Sequence, residues 1–581
     1  MQRNYTMIKL LSRYLKPYTW QIILLFLFQF TQAFLNLYLP NLQAEVVDKG
    51  IVTGNQNEIY HLSTIMIIVA LIQGIANIAV VIICSHFATH IAYEVRRDFF
   101  NAVSNLHQQD IDHYTVGSLI TRSTNDVYQI QRTLFQVCRF VLQAPIMFIG
   151  GLVMALQQNK TLTWSLAIIL PVIAIIISII FSKIGPLFKK LQHELDRINL
   201  STREQITGLR IIRSFVKEKS EAEKFQGINQ DTTVVIQRTG FLMGIIGPIM
   251  WFVTSLFNIV VMWFGGHLIE SGNMQIGALQ AFIQYIMIVL SGFMMAAMMS
   301  VTVPRASVAS KRLLEVMHQT TTYASDAEAS LDTATFSEAI EFNDVTFTYP
   351  GSTVPALDHV SFAVHPGETV ALVGITGAGK STILRLLQRI YEVTDGSITI
   401  DHHSLKDFTS QSLRTLFGFV PQKAQLFTGT VRSNLKFGNS TATDEDMWEA
   451  LQTAQAADFI HSTPQQLDAP VTENGDNFSG GQKQRLCIAR ALMKKPTIYI
   501  LDDSFSALDV ETDKRLREAL HTTMRPQSTF LMVSQRIATI QDADKIIVLE
   551  KGKIVGEGTH DQLMQTCDHY KQIADLQQQV L

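Results

Sequence analysis

"TVALVGITGAGKSTILRLLQRIY", Thr369 to Tyr391, decides how the second half of this chain folds. TVALVG is an apolar run of strand length, and STILRLLQRIY has the apolar spacing of a helix. Between them GITGAGKS, Gly374 to Ser381, fits the GxxxxGK[ST] pattern in the strand–turn–helix context that the pattern needs. The glycines let backbone N–H groups curl around phosphate oxygens, and the helix start adds the positive end of its dipole. Gly374, Thr376, Gly377, Ala378 and Gly379 form the cradle, continued by Thr382. Lys380 would reach the β- and γ-phosphates of ATP, and Ser381 would ligate Mg²⁺.

Downstream, TIYILDD is an apolar strand that ends in two acids, Asp502 and Asp503. Acids at the C-terminal edge of an α/β sheet sit where ligands bind, so Asp502 is expected in the Mg²⁺ shell. FSGGQKQR, Phe478 to Arg485, opens another helix, QKQRLCIARALMKK, on small residues. Its start is a second phosphate-ready N-terminus. Two such starts are more than one ATP in one domain requires. A dimer in which each chain completes its partner's site explains both. From Ile340 onward strands alternate with helices, as in an α/β domain with a partly parallel sheet.

Upstream the chain changes character. Apolar runs long enough to cross a bilayer lie at 20–44, 62–86, 134–157, 162–185, 241–268 and 277–301. Basic residues cluster before the first (Arg3, Lys9, Arg13, Lys16), between the second and third (Arg96, Arg97, Arg122, Arg132), and between the fourth and fifth (Lys189 to Lys217). HLIESGNMQIG, between the fifth and sixth, has no Lys or Arg. The expectation is a multi-pass protein of the cell membrane with both termini cytoplasmic. Residues 87–133 and 186–240 are polar but keep helical apolar spacing, so spans two to five should continue as helices into the cytoplasm. The small, polar segment 318–339 is expected to link a membrane domain, 1–317, to the α/β domain, 340–581. The 581 residues exceed one compact domain. A net charge of −3 suggests no nucleic-acid partner, and the four dispersed cysteines show neither metal spacing nor a disulfide framework.

The ordered set FTYP, GITGAGKS, VPQ, FSGGQ, YILDD and SALD is similar to the nucleotide-binding domain of ABC transporters. With six spans before it, essentially the whole chain resembles an ABC exporter half-transporter: an α-helical membrane domain of six transmembrane helices with long cytoplasmic extensions, plus an α/β P-loop ABC ATPase domain. The resemblance implies that Tyr349 stacks on adenine and that Gln422 contacts Mg²⁺ or the attacking water. It implies that Ser479, Gly480, Gly481 and Gln482 grip the γ-phosphate of ATP held by the other subunit, and that Asp509 lies in the loop joining the two sites. It also implies two coupling tips, near YTVGSLITRSTNDV (114–127) and LRIIRSFVKEK (209–219).

The sequence departs from that family at two points. Asp503 stands where the family usually has glutamate, one methylene longer. Gln535, in LMVSQRIATI, stands where it usually has histidine, and glutamine carries neither a mobile proton nor a charge. Both act at the γ-phosphate, whereas FSGGQ is intact apart from its first residue. The expectation is therefore a heterodimer with a second ABC half-transporter that supplies Glu and His, similar to the degenerate-site subunit of heterodimeric bacterial multidrug exporters. Inside the spans Arg139 lies near the inner end of span three, placed to snorkel. The other polar groups are neutral, and Met287, Met294, Met295, Met298 and Met299 crowd span six. That composition mildly favours hydrophobic or amphiphilic substrates. A lipid or peptide exporter subunit, or a regulatory ATP-binding subunit, stays open at this stage.

Overall fold

The computed structural model describes residues 14–319, 331, 336–524 and 528–578. The basic residues Arg3, Lys9 and Arg13 and most of the expected linker lie outside the described residues. Two compact units emerge: one of residues 1–104 and 117–318, the other of residues 105–116 and 319–581.

The first unit holds six long apolar helices, Thr19–Ile51, Gln56–Ser104, Val116–Gln158, Lys160–Thr207, Glu218–Glu270 and Ile276–Met317. A 49-residue helix such as the second is about 70 Å long. A bilayer's hydrocarbon core is about 30 Å thick, so more than half of that helix lies beyond it. The apolar middles are bare: Ile67, Ile68, Leu71, Ile75, Ile78 and Ile82 of span two are all exposed, as are Trp251, Leu256, Ile259 and Trp263 of span five. Water would not tolerate such surfaces; lipid or other helices would.

Polar side chains join the helices at a few points. Gln32 donates to Asn77 at 3.3 Å and Gln284 to Gln43 at 2.6 Å. Span three is broken between its helical stretches Val127–Phe140 and Gln143–Gln158. There the buried Gln29 donates to the carbonyls of Cys138 and Arg139, groups that face the break. The N-terminus of span six meets Asp48, whose carboxylate accepts from Gly277 N at 2.7 Å. A Cβ at Gly277 would lie 2.3 Å from Ala44 O, so the approach needs glycine.

The expected extensions of spans two to five are helical apart from breaks at 105–107, 115, 208 and 215–217, and a short helix stands just before the segment in which the first tip was expected. The short helix is Gln108–Tyr114, and YTVGSLITRSTNDV is mainly the start of span three. Thr115, at φ +61°, ends the short helix, because a left-handed residue cannot continue a right-handed one. The second tip is the helix Leu209–Ser214, with Ile211, Phe215 and Val216 exposed.

In the second unit a six-stranded sheet runs, edge to edge, Lys553–Gly558, Lys545–Glu550, Thr369–Val373, Thr529–Val533, Ile498–Asp502 and Phe417–Val420. Every neighbouring pair is parallel except the first. Both faces are covered, which explains the continuous apolar strands. Ile498 and Ile500 pack into one core layer, and Tyr499 and Leu501 into the other. A four-stranded antiparallel sheet built on Ile340–Phe347, Leu357–Val364 and Asp395–Ile400 closes one side. The tip helix packs within this unit. Asp112 accepts from the Tyr391 hydroxyl at 2.6 Å, and Asp110 accepts from Gln319 at 2.6 Å.

Candidate nucleotide site

Thr369–Val373 lies inside the sheet, flanked on both sides by parallel strands. Its C-terminal end therefore opens into the middle of the domain. The chain must turn there within a few residues, and the turn forces glycine. Gly379 has φ +103°, and a Cβ on it would lie 2.6 Å from Leu357 Cδ2 and 2.7 Å from Ala356 O. Gly374 is as tight, its Cβ position 2.2 Å from Leu549 O. The helix Lys380–Leu387 starts immediately after, its first N–H groups unused by the helix.

Here a cleft of about 280 Å³ brings together most of the residues expected from sequence: Tyr349, Thr376, Gly377, Gly379, Lys380, Ser381, Thr382, Gln422, Asp502, Asp503 and Gln535. Gly374 and Ala378 lie behind the wall, where Ala378 is buried in the core. Lys380 Nζ donates to the carbonyls of Gly374 at 2.7 Å and Ile375 at 2.9 Å, so its ammonium lies along the loop that would wrap the phosphates. Burial lowers its pKa, a pull opposed by the charges of Asp503 and Asp502.

Asp502 and Asp503 enter from the end of Ile498–Asp502. Ser381 Oγ donates to Asp502 Oδ1 at 2.9 Å, which puts two hard oxygens side by side. Burial raises the Asp502 pKa, against the Ser381 hydrogen bond and the charges of Arg385 and Lys380. Burial also raises that of Asp503, and the neighbouring Asp502 charge adds to it. A cation beside the pair would relieve both. Asp503 has φ +48°, a conformation that Asp accepts more readily than most residues. Its carboxylate accepts from Gln535 Nε2 at 3.4 Å and from Gln422. The two departures from the family pattern thus touch each other at one end of the cleft.

Tyr349 stands at another edge, half-buried, its ring edge-on to Phe347 at 4.8 Å and to Tyr391 at 5.3 Å. Its hydroxyl lies 3.1 Å from Thr382 Oγ1 and accepts from Arg385 at 3.2 Å. Sequence reading missed Arg385 as a cleft residue. Its spacing from Ser381 placed it on the same helix face, one turn on.

Ser479, Gly480, Gly481 and Gln482 are not in this cleft. They start the helix Gly480–Met493 at a surface, with Ser479 and Gly480 exposed. The segment caps itself: Ser479 N donates to Gln482 Oε1 at 2.9 Å, and Gln482 N donates to Ser479 Oγ at 3.3 Å. Asp509 caps the next helix by accepting from Thr512 N at 2.9 Å. Arg536, also missed from sequence, ties this region to Gln535, because its guanidinium donates to the carbonyls of Ser506 and Leu508 at 3.0 Å each.

Residues 22–294 match the family model "ABC transporter transmembrane region", and residues 357–506 match "ABC transporter". The chain is 35% identical over 571 residues to an uncharacterized ABC transporter ATP-binding protein of Mycobacterium tuberculosis, covering 98% of both chains. A similar relative from Bacillus subtilis is 32% identical over 568 residues, 97% of each. Among solved structures, a bacterial Atm1-family ABC exporter with ATP bound shares the fold, with TM-score 0.79 and 22% identity over 97% of this chain and 99% of that one. The chain therefore belongs to the ABC transporter family, with six helices long and apolar enough to cross a membrane and one ATPase domain joined in a single polypeptide.

Proposed function

We propose that this chain is one half of a heterodimeric, ATP-driven exporter of hydrophobic or amphiphilic compounds from the cell. Its own cleft holds ATP and Mg²⁺ and turns over slowly, while its Ser479–Gln482 segment completes the partner's faster site. Ser381 and Asp502 fit Mg²⁺, which takes one or two carboxylates plus phosphates and water and needs no larger acid cluster. Gln422 would reach the same ion or the attacking water.

The observation that carries the reading is the Asp503–Gln535 contact in the cleft. A general base must reach the water in line with the γ-phosphate. Asp503 is a methylene short, and its neighbour supplies an amide in place of a protonatable ring. A displacement of about an ångström costs on the order of 10²-fold in rate. The bare apolar middles of the spans and the methionines of span six suit apolar cargo better than sugars or ions. The basic inner segments support cytoplasmic termini in the cell membrane. The Asp112–Tyr391–Tyr349 contacts offer a route by which movement of the first tip reaches the adenine side of the cleft.

The test compares ATPase activity of the purified chain with that of a 1:1 complex formed with a half-transporter bearing Glu and His at the matching positions. The chain alone should be slow and the complex fast and stimulated by substrate. Brisk, cooperative hydrolysis by the chain alone would sink the proposal.

A further inference from the structure

The last described helix, Asp568–Gln578, is seated by Tyr570 and Ala574, both at most 2% exposed, and by Ile573. These three share one helix face with Gln577, spaced i, i+3, i+4 and i+7. A glutamine on an apolar face needs partners, and Gln577 has two. Its Oε1 accepts from Ile537 N at 2.8 Å, and its Nε2 donates to Gln535 O. Ile537 opens the four-residue helix Ile537–Ile540, whose first N–H groups have no partner inside that helix. The amide therefore grips the main chain on both sides of Arg536. Arg536 is held in turn by the carbonyls of Ser506 and Leu508, and the Gln535 side chain lies against Asp503.

We infer that Gln577 is a positioning residue for the γ-phosphate side of the cleft. By fixing the 535–537 main chain from the C-terminal helix, it sets where Gln535 points relative to Asp503. The inference rests on the cleft being the ATP site. It predicts an effect on hydrolysis with little effect on nucleotide binding, because both hydrogen bonds of Gln577 go to the 535–537 main chain and neither to the phosphate loop.

The test uses the purified full-length chain in lipid nanodiscs and its Gln577→Ala and Gln577→Glu variants. The readouts are single-turnover hydrolysis of Mg-ATP, ADP affinity, and hydrogen exchange. In Gln577→Ala, exchange at Ile537 should speed by about tenfold or more while the rest of the ATPase unit is unchanged. The hydrolysis rate should fall by roughly five- to tenfold, with ADP affinity within about twofold of the parent. Gln577→Glu keeps the acceptor for Ile537 N–H but sets a second acceptor against the Gln535 carbonyl. It should preserve protection at Ile537 and still lose the rate. Unchanged exchange and rate in Gln577→Ala would overturn the inference. So would faster exchange across the whole C-terminal helix, or a loss of ADP affinity equal to the loss of rate, since either marks general loosening. A parent chain that binds no ADP would instead overturn the reading of the cleft, an outcome separate from these.

Discussion

Two helix starts in the ATPase unit carry the same chemistry in opposite settings. The one at Lys380 lies at the end of an interior strand, walled by Asp502, Asp503 and Tyr349. Its lysine is drawn onto its own loop. The one at Ser479 is exposed and satisfies itself, side chain to main chain. A walled start is a complete half-site within one chain. A bare, self-capped start is a surface that gains a ligand only when another molecule brings one. Asp503 and Gln535, the departures expected to act at the γ-phosphate, both line the walled side, so each side can be broken separately.

The largest effect is expected at the bare start. Ser479→Arg sets a bulky cation where the partner's γ-phosphate would dock. Losing one donor aimed at developing phosphate charge costs about 10²- to 10³-fold, and added bulk costs at least that. In the proposed heterodimer at saturating Mg-ATP, ATPase and transport should both be nearly abolished. Retention of most of the activity would mean that this surface completes no working site.

The next effect is a gain on the walled side. Asp503→Glu with Gln535→His restores reach and a protonatable ring together. Hydrolysis at this site should rise by up to about 10²-fold, the penalty expected for a misplaced group. It is read in a heterodimer whose partner glutamate has been changed to glutamine, which silences the other site. The single variants should gain less, because Asp503 and Gln535 touch each other and act as a pair. No gain in the double variant would put the cause of slow turnover elsewhere, most simply in the partner's signature segment.

The walled site was largely legible in the sequence because its parts are local. A strand, eight residues of turn and a helix are consecutive, and the acids end another apolar strand, so their meeting follows from sheet topology alone. The spans were legible because a bilayer demands length and apolarity, both countable. What was not legible depends on single dihedrals or long-range pairs. The short helix Gln108–Tyr114 and its end were not read because nothing in DHYTVG marks Thr115 as the residue at φ +61°. Arg536 and Gln577 were missed because their partners are main-chain carbonyls and N–H groups, which leave no signature in side-chain type. The break in span three was masked for the same reason: Gln29, which holds its carbonyls, lies about a hundred residues away on another helix.

A smaller effect on turnover is expected from Lys380→Ala. The lysine's contact with phosphate is charge-assisted, worth about 1.5–3 kcal/mol, so ATP retention at this cleft should weaken by roughly ten- to a hundredfold. Overall hydrolysis in the proposed heterodimer should fall by much less, because in that proposal turnover is carried by the partner's site. Measuring both nucleotide occupancy and steady-state rate separates the two quantities. If Lys380→Ala were more damaging to the rate than Ser479→Arg, the fast and slow sites would be exchanged.

The smallest effect is expected at Tyr349, and it sharpens the comparison by testing the wall without touching the phosphates. The hydroxyl has polar partners in Thr382 and Arg385, and the ring has edge contacts with Phe347 and Tyr391. Tyr349→Phe keeps the ring and removes the hydroxyl, a neutral hydrogen bond worth about 0.5–1.5 kcal/mol. Tyr349→Ala removes the stacking face as well, worth about 1–3 kcal/mol per base. Nucleotide affinity at this cleft should therefore fall slightly in the first variant and clearly in the second, with turnover at saturating Mg-ATP nearly unchanged in both. A fluorescent-ATP titration reads the affinity, and the same titration with a triphosphate lacking a base should not distinguish Tyr349→Ala from the parent. If it does, Tyr349 acts by holding Thr382 and Arg385 over the phosphates rather than by stacking, and the adenine lies elsewhere.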